Sequence, residues 1–372
     1  MSTGRHSLTG LSELKTAEII VIGTGSIARG VAYGLSHVPG ISLRVVILGR
    51  SHAKASEIAL LANARAAIVG TSVTFQPFLI SQFKGPEFSK LFLSLKPKII
   101  LLAASIQSPW EITQQPTQQQ NAWTRLIAQS GFGITLPLQL KLAAEVSRAA
   151  SDLQAAVINA CYPDAVNVVL DRVGLRMTCG LGNAAIIEAF CRSQVGPGMK
   201  EKKDVCVLAH HGHVGPWLRG KRSGNQPRIW IQGHEVPARQ LHPNLGAIGE
   251  ELNSVTTSTA IPLLLSLLTG ETLRTSIPGV AGLPGGYPFL VKQGKFSLRL
   301  PSGVALAKAI AHNKKGEKLD GLDLGAGAKF VGKARVALGA ENFEYAQGFS
   351  FSDWPLACQR MEFLRDRLRN KK

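Results

Sequence analysis

The sequence predicts an α/β protein, with a doubly wound parallel sheet first and a mixed α+β domain after it. Continuous apolar runs rich in Val, Ile and Leu alternate with helical stretches through the first half of the chain, as in parallel sheets covered on both faces. The first run breaks at Gly-x-Gly-x-x-Ala over residues 23–28, and a helix of small residues follows. That order is the fingerprint of a Rossmann-type dinucleotide-binding turn.

The predicted elements follow one another along the chain. In the first half, strands are predicted at 18–23, 43–48, 73–75, 98–104 and 155–159, with helices at 26–37 and 53–64. After about residue 176, strands are predicted at 227–232, 273–277, 288–291 and 296–300, with helices at 261–268 and 304–313. The C-terminal helix is predicted to present on one face Trp354, Leu356, Met361, Leu364 and Leu368.

These elements divide the chain into three parts. Residues 18–175 form the predicted dinucleotide-binding domain, 176–320 the predicted substrate domain, and 321–372 a C-terminal extension. Residues 105–121 are rich in Gln, Pro and Ser and predict a loop at a strand end, where lids over ligands are common.

Cysteine usage and hydropathy indicate a cytoplasmic protein. Five cysteines are scattered over 372 residues without a Cys-x-x-Cys pair, which favours buried thiols in a reducing compartment. Apolar runs fall short of the 18 or more residues of a membrane span. Residues 1–17 are polar, so neither an export signal nor a membrane partner is expected.

The formal net charge of +18 allows three interpretations. It can mark a solvated basic surface, a field that attracts anionic cofactors and substrates, or attraction to nucleic acid or membrane. The basic residues are spread along the chain and no aromatic-interleaved basic motif occurs, so no specific nucleic-acid partner is expected.

The glycine turn assigns the first cofactor contacts. Gly23 suits the tight turn, and Gly25 lets the backbone approach a pyrophosphate. The phosphates are expected at the helix N-terminus, beside Ser26 and Ile27, where free N–H groups and the helix dipole favour anions.

The end of the second predicted strand indicates which cofactor is bound. A carboxylate usually stands there and holds the ribose hydroxyls of NAD. Here Gly49 is followed by Arg50, Ser51, His52 and Lys54, with no acid. A guanidinium suits a phosphate better than a diol, so the sequence predicts NADP(H) in preference to NAD(H). The alternative is that Arg50 is a solvated surface residue.

Four later segments carry a resemblance to a known family. They are Ile99 to Ser105, Val157 to Asn167 with Asn159 and Asp164, Leu208 to Trp217 with a His-His-Gly-His cluster, and Thr257 to Ile261. In this order they resemble segments of the lactate/malate dehydrogenase superfamily over residues 18–315. The resemblance places Ala104 and Ser105 beside the nicotinamide ribose and Thr257 in the helix that closes the substrate pocket.

The resemblance implies a hydride-transfer enzyme with a catalytic histidine. His211 matches that histidine, which polarises a carbonyl and exchanges a proton with it. His210 and His213 are its competitors. Asn159 matches the residue that holds the nicotinamide ribose or a substrate oxygen, although an alignment on Asp164 puts Cys161 there instead. Homo-oligomers are usual in that superfamily.

Departures from the family pattern concern the substrate. Asn183 stands where the family has the aspartate that pairs with the histidine, so the pKa of the histidine is expected to be lowered. Ile186 stands where the family has a carboxylate-binding arginine. The loop also lacks the arginine that the family has there, and it offers Gln107 and Trp110 instead. The substrate is therefore expected to be a small molecule or modified peptide other than a simple 2-oxo acid. Asp164 is expected to cap a helix.

Two other functions fit parts of the sequence. Family-4 glycosidases, of the same superfamily, use NAD and a metal held by Cys and His, which Cys179 with His210 or His211 could supply. A nucleotide-sensing protein without catalysis would account for the missing aspartate and arginines. The preferred prediction is the oxidoreductase, with no metal.

Overall fold

The first sheet has six parallel strands. The computed structural model describes residues 16–80, 82–111, 121–195, 204–221 and 224–371. The strands are β1 (Ile19–Ile22), β2 (Ser42–Gly49), β3 (Ser72–Leu79), β4 (Ile99–Leu102), β5 (Ala156–Asn159) and β6 (Cys179–Gly180). Their order is β3-β2-β1-β4-β5-β6. The order reverses between β1 and β4, which is where doubly wound sheets bind ligands. The predicted fold class is confirmed.

Helices cover both faces of this sheet. They are α1 (Ser26–Leu35), α2 (His52–Val69), α3 (Gly85–Leu95), α4 (Ala122–Ser130), α5 (Leu136–Ala149) and α6 (Pro163–Arg172). Side chains alternate along a strand, so Ile20 and Ile22 of β1 enter the core under α3 to α6. Ile19 and Val21 enter the opposite core, under α1 and α2. Burial on both faces explains the unbroken apolar runs in the sequence.

Antiparallel sheets and helices form the second part of the chain. The elements are α7 (Ala184–Gln194), β7 (Val205–Leu208), α8 (His211–Leu218), β8 (Arg228–Ile231), β9 (His234–Val236), α9 (Leu252–Thr269), β10 (Leu273–Pro278), β11 (Gly286–Lys292), β12 (Lys295–Leu298) and α10 (Leu306–Leu319). One sheet has the order β7-β8-β9 and the other β10-β11-β12. A bridge between Ala209 and Gly286 joins them just before α8 begins.

Helix α9 packs against α1 through glycines. A Cβ on Gly30 would lie 2.7 Å from Thr257 Cγ2, and one on Gly34 would lie 2.7 Å from Ile261 Cδ1. Within the described ranges, this 18-residue helix is the one whose length and mean hydropathy of 1.3 would suffice to cross a membrane.

The last residues add to the first core. They form β13 (Leu322–Leu324), β14 (Ala328–Phe330), α11 (Gly332–Ala340) and α12 (Trp354–Arg369). Four of the five predicted residues of the last helix are buried, but Leu356 is 43% exposed. Leu356 lies two positions after Trp354, and at about 100° per residue that spacing points to the opposite face. Its prediction on the buried face is wrong.

Two predicted boundaries differ from the structure for identifiable reasons. Strand β3 extends to Leu79 because it pairs with β2 along its whole length, from Ser42 and Ser72 to Gly49 and Leu79. Helix α2 continues to Val69, where Gly70 ends it in a left-handed conformation. Of the predicted loop at 105–121, residues 112–120 lie outside the described ranges.

Candidate active site

The glycine turn after β1 has the geometry that a phosphate needs. Gly23 has φ +128°, and a Cβ there would lie 2.7 Å from the carbonyl oxygen of Ala103, so only glycine fits. Gly25 begins α1 without a side-chain cap, and a Cβ on it would meet nothing within 4 Å. The N-terminus of α1, where the first N–H groups have no partner within the helix, is therefore open beside Gly25, and this suits a pyrophosphate.

The far end of the turn carries cations and hydroxyls. Arg50 is exposed, and its guanidinium carbon lies 5.4 Å from the centre of the Phe83 ring. Ser51 caps α2, with its Oγ accepting the N–H of Lys54 at 3.4 Å. The same cleft is lined by Arg50, Ser51, Lys54 and Phe83.

The cleft joins the glycine turn to the second part of the chain. Its volume is about 1100 Å³. The predicted cofactor residues that line it are Gly23, Gly25, Ser26, Ile27, Arg50, Ser51, Ala104 and Ser105. The predicted catalytic and substrate residues that line it are His211, Asn183, Trp110 and Ile186. The fold thus brings these two groups together.

His211, the first residue of α8, is held by a carboxylate that sequence reasoning missed. Its Nδ1 lies 2.8 Å from Oδ2 of Asp320, which directly follows α10. Tyr162 donates its hydroxyl to the same oxygen at 3.0 Å. The Phe132 ring centre lies 5.3 Å from that of His211. Since Nδ1 is engaged by Asp320 and the side chain is 31% exposed, Nε2 is the nitrogen left for a substrate.

Glycines allow the close approach that forms this pair. A Cβ on Gly212 would clash with the carbonyl oxygen of Gly316, and one on Gly316 would lie 2.5 Å from His213 Cε1. Helices α8 and α10 therefore meet backbone to backbone, one turn from Asp320. On the other side, the N–H of Gly133 donates to the backbone carbonyl of Asp320 at 2.9 Å.

The electrostatics of the pair favour a charged imidazole. Burial opposes protonation of His211, but the charge and hydrogen bond of Asp320, with the charge of Asp164, raise its pKa above the ordinary value. Burial likewise opposes ionisation of Asp320, but His211 and the hydrogen bonds hold the pKa of that carboxyl below its usual value. The expectation that Asn183 leaves His211 with a lowered pKa is therefore wrong, because Asp320 takes the place of the missing aspartate.

Asn183 and Asp164 serve the backbone around the site. Asn183 donates its amide to Oδ2 of Asp164, and no hydrogen bond joins it to the His211 ring among the described residues. Asp164 accepts the backbone N–H of His211 through Oδ1 at 2.9 Å. Tyr162 occupies the N-cap of α6, so Asp164 does not cap its own helix as expected. Its buried carboxylate instead fixes the start of α8, and burial raises its pKa.

Asn159, predicted at the cofactor, does not line the cleft. It is fully buried, its Oδ1 accepts the N–H of Cys161 at 2.8 Å, and its Nδ2 donates to Asn167 at 2.9 Å. Its amide is thus used to shape the turn after β5. Cys161, the alternative residue, does line the cleft.

Two predicted pocket residues also point elsewhere. Gln107 is 1% exposed and bonds Trp123 and Glu111 instead of lining the cleft. Thr257 packs on Gly30 of α1, while the preceding residue, Thr256, lines the cleft. A helix places adjacent residues about 100° apart, which is why a one-residue difference separates core from cleft.

The competing histidines have structural partners. His210 is buried and accepts the N–H of Gly212 at 3.1 Å, and burial lowers its pKa. His213 accepts the N–H of His210 at 2.9 Å and stacks on His312 with ring centres 5.0 Å apart. Burial is the main reason why the pKa of His213 lies well below the ordinary value, and the neighbouring histidines lower it further. Of the three, His211 is the one partly open to the cleft.

The residues of the metal-dependent alternative lie apart. Cys179 is buried in β6 and does not line the cleft, and burial raises its thiol pKa to about 12. Within the described ranges, no group of three His, Cys, Asp or Glu residues is arranged to hold a metal ion.

Comparisons with known proteins place the fold. No protein-family model matches the chain, and no curated protein matches it. Malate dehydrogenase from Archaeoglobus fulgidus in complex with NADH matches with a TM-score of 0.51 and 12% identity, over 81% of this chain and 96% of that one. Cryptosporidium parvum malate dehydrogenase matches with a TM-score of 0.51 and 13% identity, over 82% and 96%. Lactate dehydrogenase from Cryptosporidium parvum matches with 0.50 and 12%, over 82% and 98%. At these identities the likeness shows a shared fold.

Proposed function

We propose that this chain, which has the fold of lactate and malate dehydrogenases, is an NADP(H)-dependent oxidoreductase. It acts on the carbon of a C=O or C=N group, with His211 exchanging the proton. The observation that carries the proposal is the pair of His211 and Asp320 in the same cleft as the glycine turn. One protein of this fold was solved with NADH, which supports a nicotinamide cofactor.

The chain's own residues would do the following work. The N-terminus of α1 and Gly25 would hold the pyrophosphate. A bound nicotinamide supplies or accepts the hydride. His211, protonated at Nε2, donates a hydrogen bond to the substrate oxygen or nitrogen and then the proton itself. Asp320 fixes the imidazole and stabilises its charge, as a carboxylate does in other histidine pairs.

The preference for NADP(H) rests on the end of β2. Arg50, Ser51 and Lys54 line the cleft there, and these cationic and hydroxyl groups suit a 2′-phosphate. We expect a Michaelis constant for NADPH roughly tenfold or more below that for NADH, from charged hydrogen bonds to the phosphate. Arg50→Gln should reduce this difference, chiefly by raising the Michaelis constant for NADPH. A clear NADH preference of the wild type contradicts the proposal.

The substrate is proposed to be other than a simple 2-oxo acid. Ile186 lines the cleft in the place where the family resemblance has a carboxylate-binding arginine. Phe132 and Tyr162 lie beside the His211 ring, and Trp110 lines the same cleft. A small molecule or a modified peptide with an apolar part next to the reacting carbon fits these walls.

His211→Asn tests the mechanism. The wild type and variant would be assayed for NADPH oxidation with a panel of aldehydes, ketones and imines, and for NADPH binding by fluorescence. We expect turnover to fall by roughly 100-fold or more, the usual contribution of a general acid, with nucleotide binding retained. Equal turnover would exclude His211 as the proton donor. NADPH binding without turnover on any member of the panel would favour a nucleotide-sensing protein.

A further inference from the structure

A cation lies on the same side of the cleft as His211. Arg219 lines the cleft at the C-terminal end of α8, the helix that begins with His211. Residues four apart in a helix share a face, so His211, Gly215 and Arg219 form one stripe along α8. All three residues line the cleft. The helix that provides the proton donor thus also provides a positive charge.

The guanidinium of Arg219 folds back toward His211. Its Nη2 lies 3.4 Å, and its Cζ 3.8 Å, from the position that a Cβ on Gly215 would take. The bare backbone of Gly215 is therefore the surface on which the guanidinium rests. Gly215 lies one turn after His211, about 6 Å along the helix axis. One bound molecule can reach both groups.

The guanidinium of Arg219 is unengaged among the described residues. In the part of the chain that the structure describes, it forms no ion pair and no side-chain hydrogen bond. The other lysine and arginine side chains of the cleft, Arg50 and Lys54, lie at the end of β2. Glu250 lines the cleft as well and forms no ion pair with Arg219 in the described residues. An exposed guanidinium in a cleft is suited to bidentate binding of carboxylate or phosphate.

We infer that Arg219 binds an anionic group of the substrate, so that the substrate is a carbonyl or imine compound that also carries a carboxylate or a phosphate. That the substrate has a carbonyl or imine rests on the proposed function. That it has an anionic group rests on the geometry of α8. Arg219 lies a helical turn from His211, and Ile186 offers no charge. The anionic group therefore stands a few bonds away from the reacting carbon, not next to it as in a 2-oxo acid.

Anion binding at equilibrium tests this inference without turnover. Full-length protein saturated with NADP⁺ would be titrated calorimetrically with glutarate, with inorganic phosphate and with acetone as an uncharged control. We expect Arg219→Met to weaken binding of the preferred anion by roughly 10- to 100-fold, the loss of a charged hydrogen-bonded pair. Arg335→Met is the matched control, since Arg335 is exposed on α11 and does not line the cleft.

Further variants identify the anion and test the role of Glu250. Glu250→Gln should tighten anion binding, because it removes a like charge from the cleft. Arg219→Lys should retain more affinity for phosphate than for glutarate, since a lysine lacks the planar fork that matches a carboxylate. Whichever of glutarate and phosphate binds the wild type more tightly identifies the anionic group.

The outcomes separate this inference from the proposed function. Equal anion binding by wild type and Arg219→Met overturns the inference, and so does the absence of anion binding by the wild type with and without NADP⁺. The proposed function fails if NADPH does not bind or His211→Asn has no effect. Arg219-dependent binding of glutarate or phosphate to the nucleotide-free protein would then still support the anion site.

Discussion

At the scale of single residues, Asp320 sets the chemistry of the site. It raises the pKa of His211, which would otherwise be lowered by burial. Asp320→Asn should keep the shape of the site but lower that pKa. In the proposed mechanism reduction needs a protonated His211, so the alkaline limb of the pH–rate profile should move to lower pH, with kcat reduced on the order of 100-fold. Asp323→Asn, which removes an exposed ion pair with Lys318, should leave the limb in place.

The same pair makes folding stability depend on pH. The folded-state pKa of His211 lies above its ordinary 6.5, so its contribution is full below that pH and lost as pH rises through the raised value. The folded-state pKa of Asp320 lies below its ordinary 3.8, so its contribution is full above that pH and lost as pH falls through the lowered value. Asp320→Asn should therefore destabilise the protein more at pH 6 than at pH 9 in urea unfolding. A pH-independent difference would contradict a charged pair.

Two glycines of the turn after β1, the proposed nucleotide site, should behave differently when replaced by alanine. A Cβ on Gly25 meets open space, so Gly25→Ala should unfold at nearly the wild-type urea concentration but bind NADPH at least tenfold more weakly. Gly23→Ala places a Cβ 2.7 Å from Ala103 at φ +128°, so it should lose roughly 1–3 kcal/mol of stability. An unchanged NADPH affinity in Gly25→Ala would contradict binding of the phosphates at the N-terminus of α1.

At the scale of elements, the contact of α8 with α10 brings His211 to Asp320. A Cβ on Gly316 would lie 2.5 Å from His213, so Gly316→Ala should push α10 away. We expect a stability loss of about 1–3 kcal/mol from overpacking, together with a lower His211 pKa by NMR titration. Gly339→Ala in α11 is the control: nothing lies within 4 Å of its Cβ, so it should stabilise by about 0.5–1 kcal/mol. An unchanged histidine pKa in Gly316→Ala would show that this contact does not position Asp320.

At the scale of the whole molecule, the sequence predicts local features better than long-range pairs. The glycine turn and the strands beside it are encoded in contiguous residues, and these could be identified without coordinates. The pairing of His211 with Asp320 joins residues 109 positions apart, and Asp320 ends an ordinary-looking helix. The local sequence hints at this pairing through Gly212 and Gly316. These glycines can be interpreted as a close contact between two helices once the fold is known. Asn159 and Thr257 do not line the cleft. The sequence gives the spacing of residues along a helix or turn, but it does not give which of them face the cleft.

The C-terminal extension belongs to the core of the parallel-sheet region. Leu322, Phe330, Met361 and Leu364 are buried in the same cluster as Ile20 of β1. Lys141 of α5 also pairs with Glu362 of α12 at 2.7 Å. Because the extension and the parallel sheet share one core, they should unfold together. The free energy of unfolding measured for the extension should then equal that of the whole sheet.

Substitutions on α12 test this coupling. Met361 is 0% exposed, so Met361→Ala should cost about 2–5 kcal/mol through a cavity in the shared core. Phe363 is 73% exposed on the same helix, so Phe363→Ala should change stability by no more than about 0.5 kcal/mol. Urea unfolding followed by circular dichroism and by tryptophan fluorescence should show, for Met361→Ala, one transition shifted equally in both signals, because Trp123 is buried in that core. Two separate transitions, with only the first shifted, would mean that α12 unfolds independently of the parallel sheet.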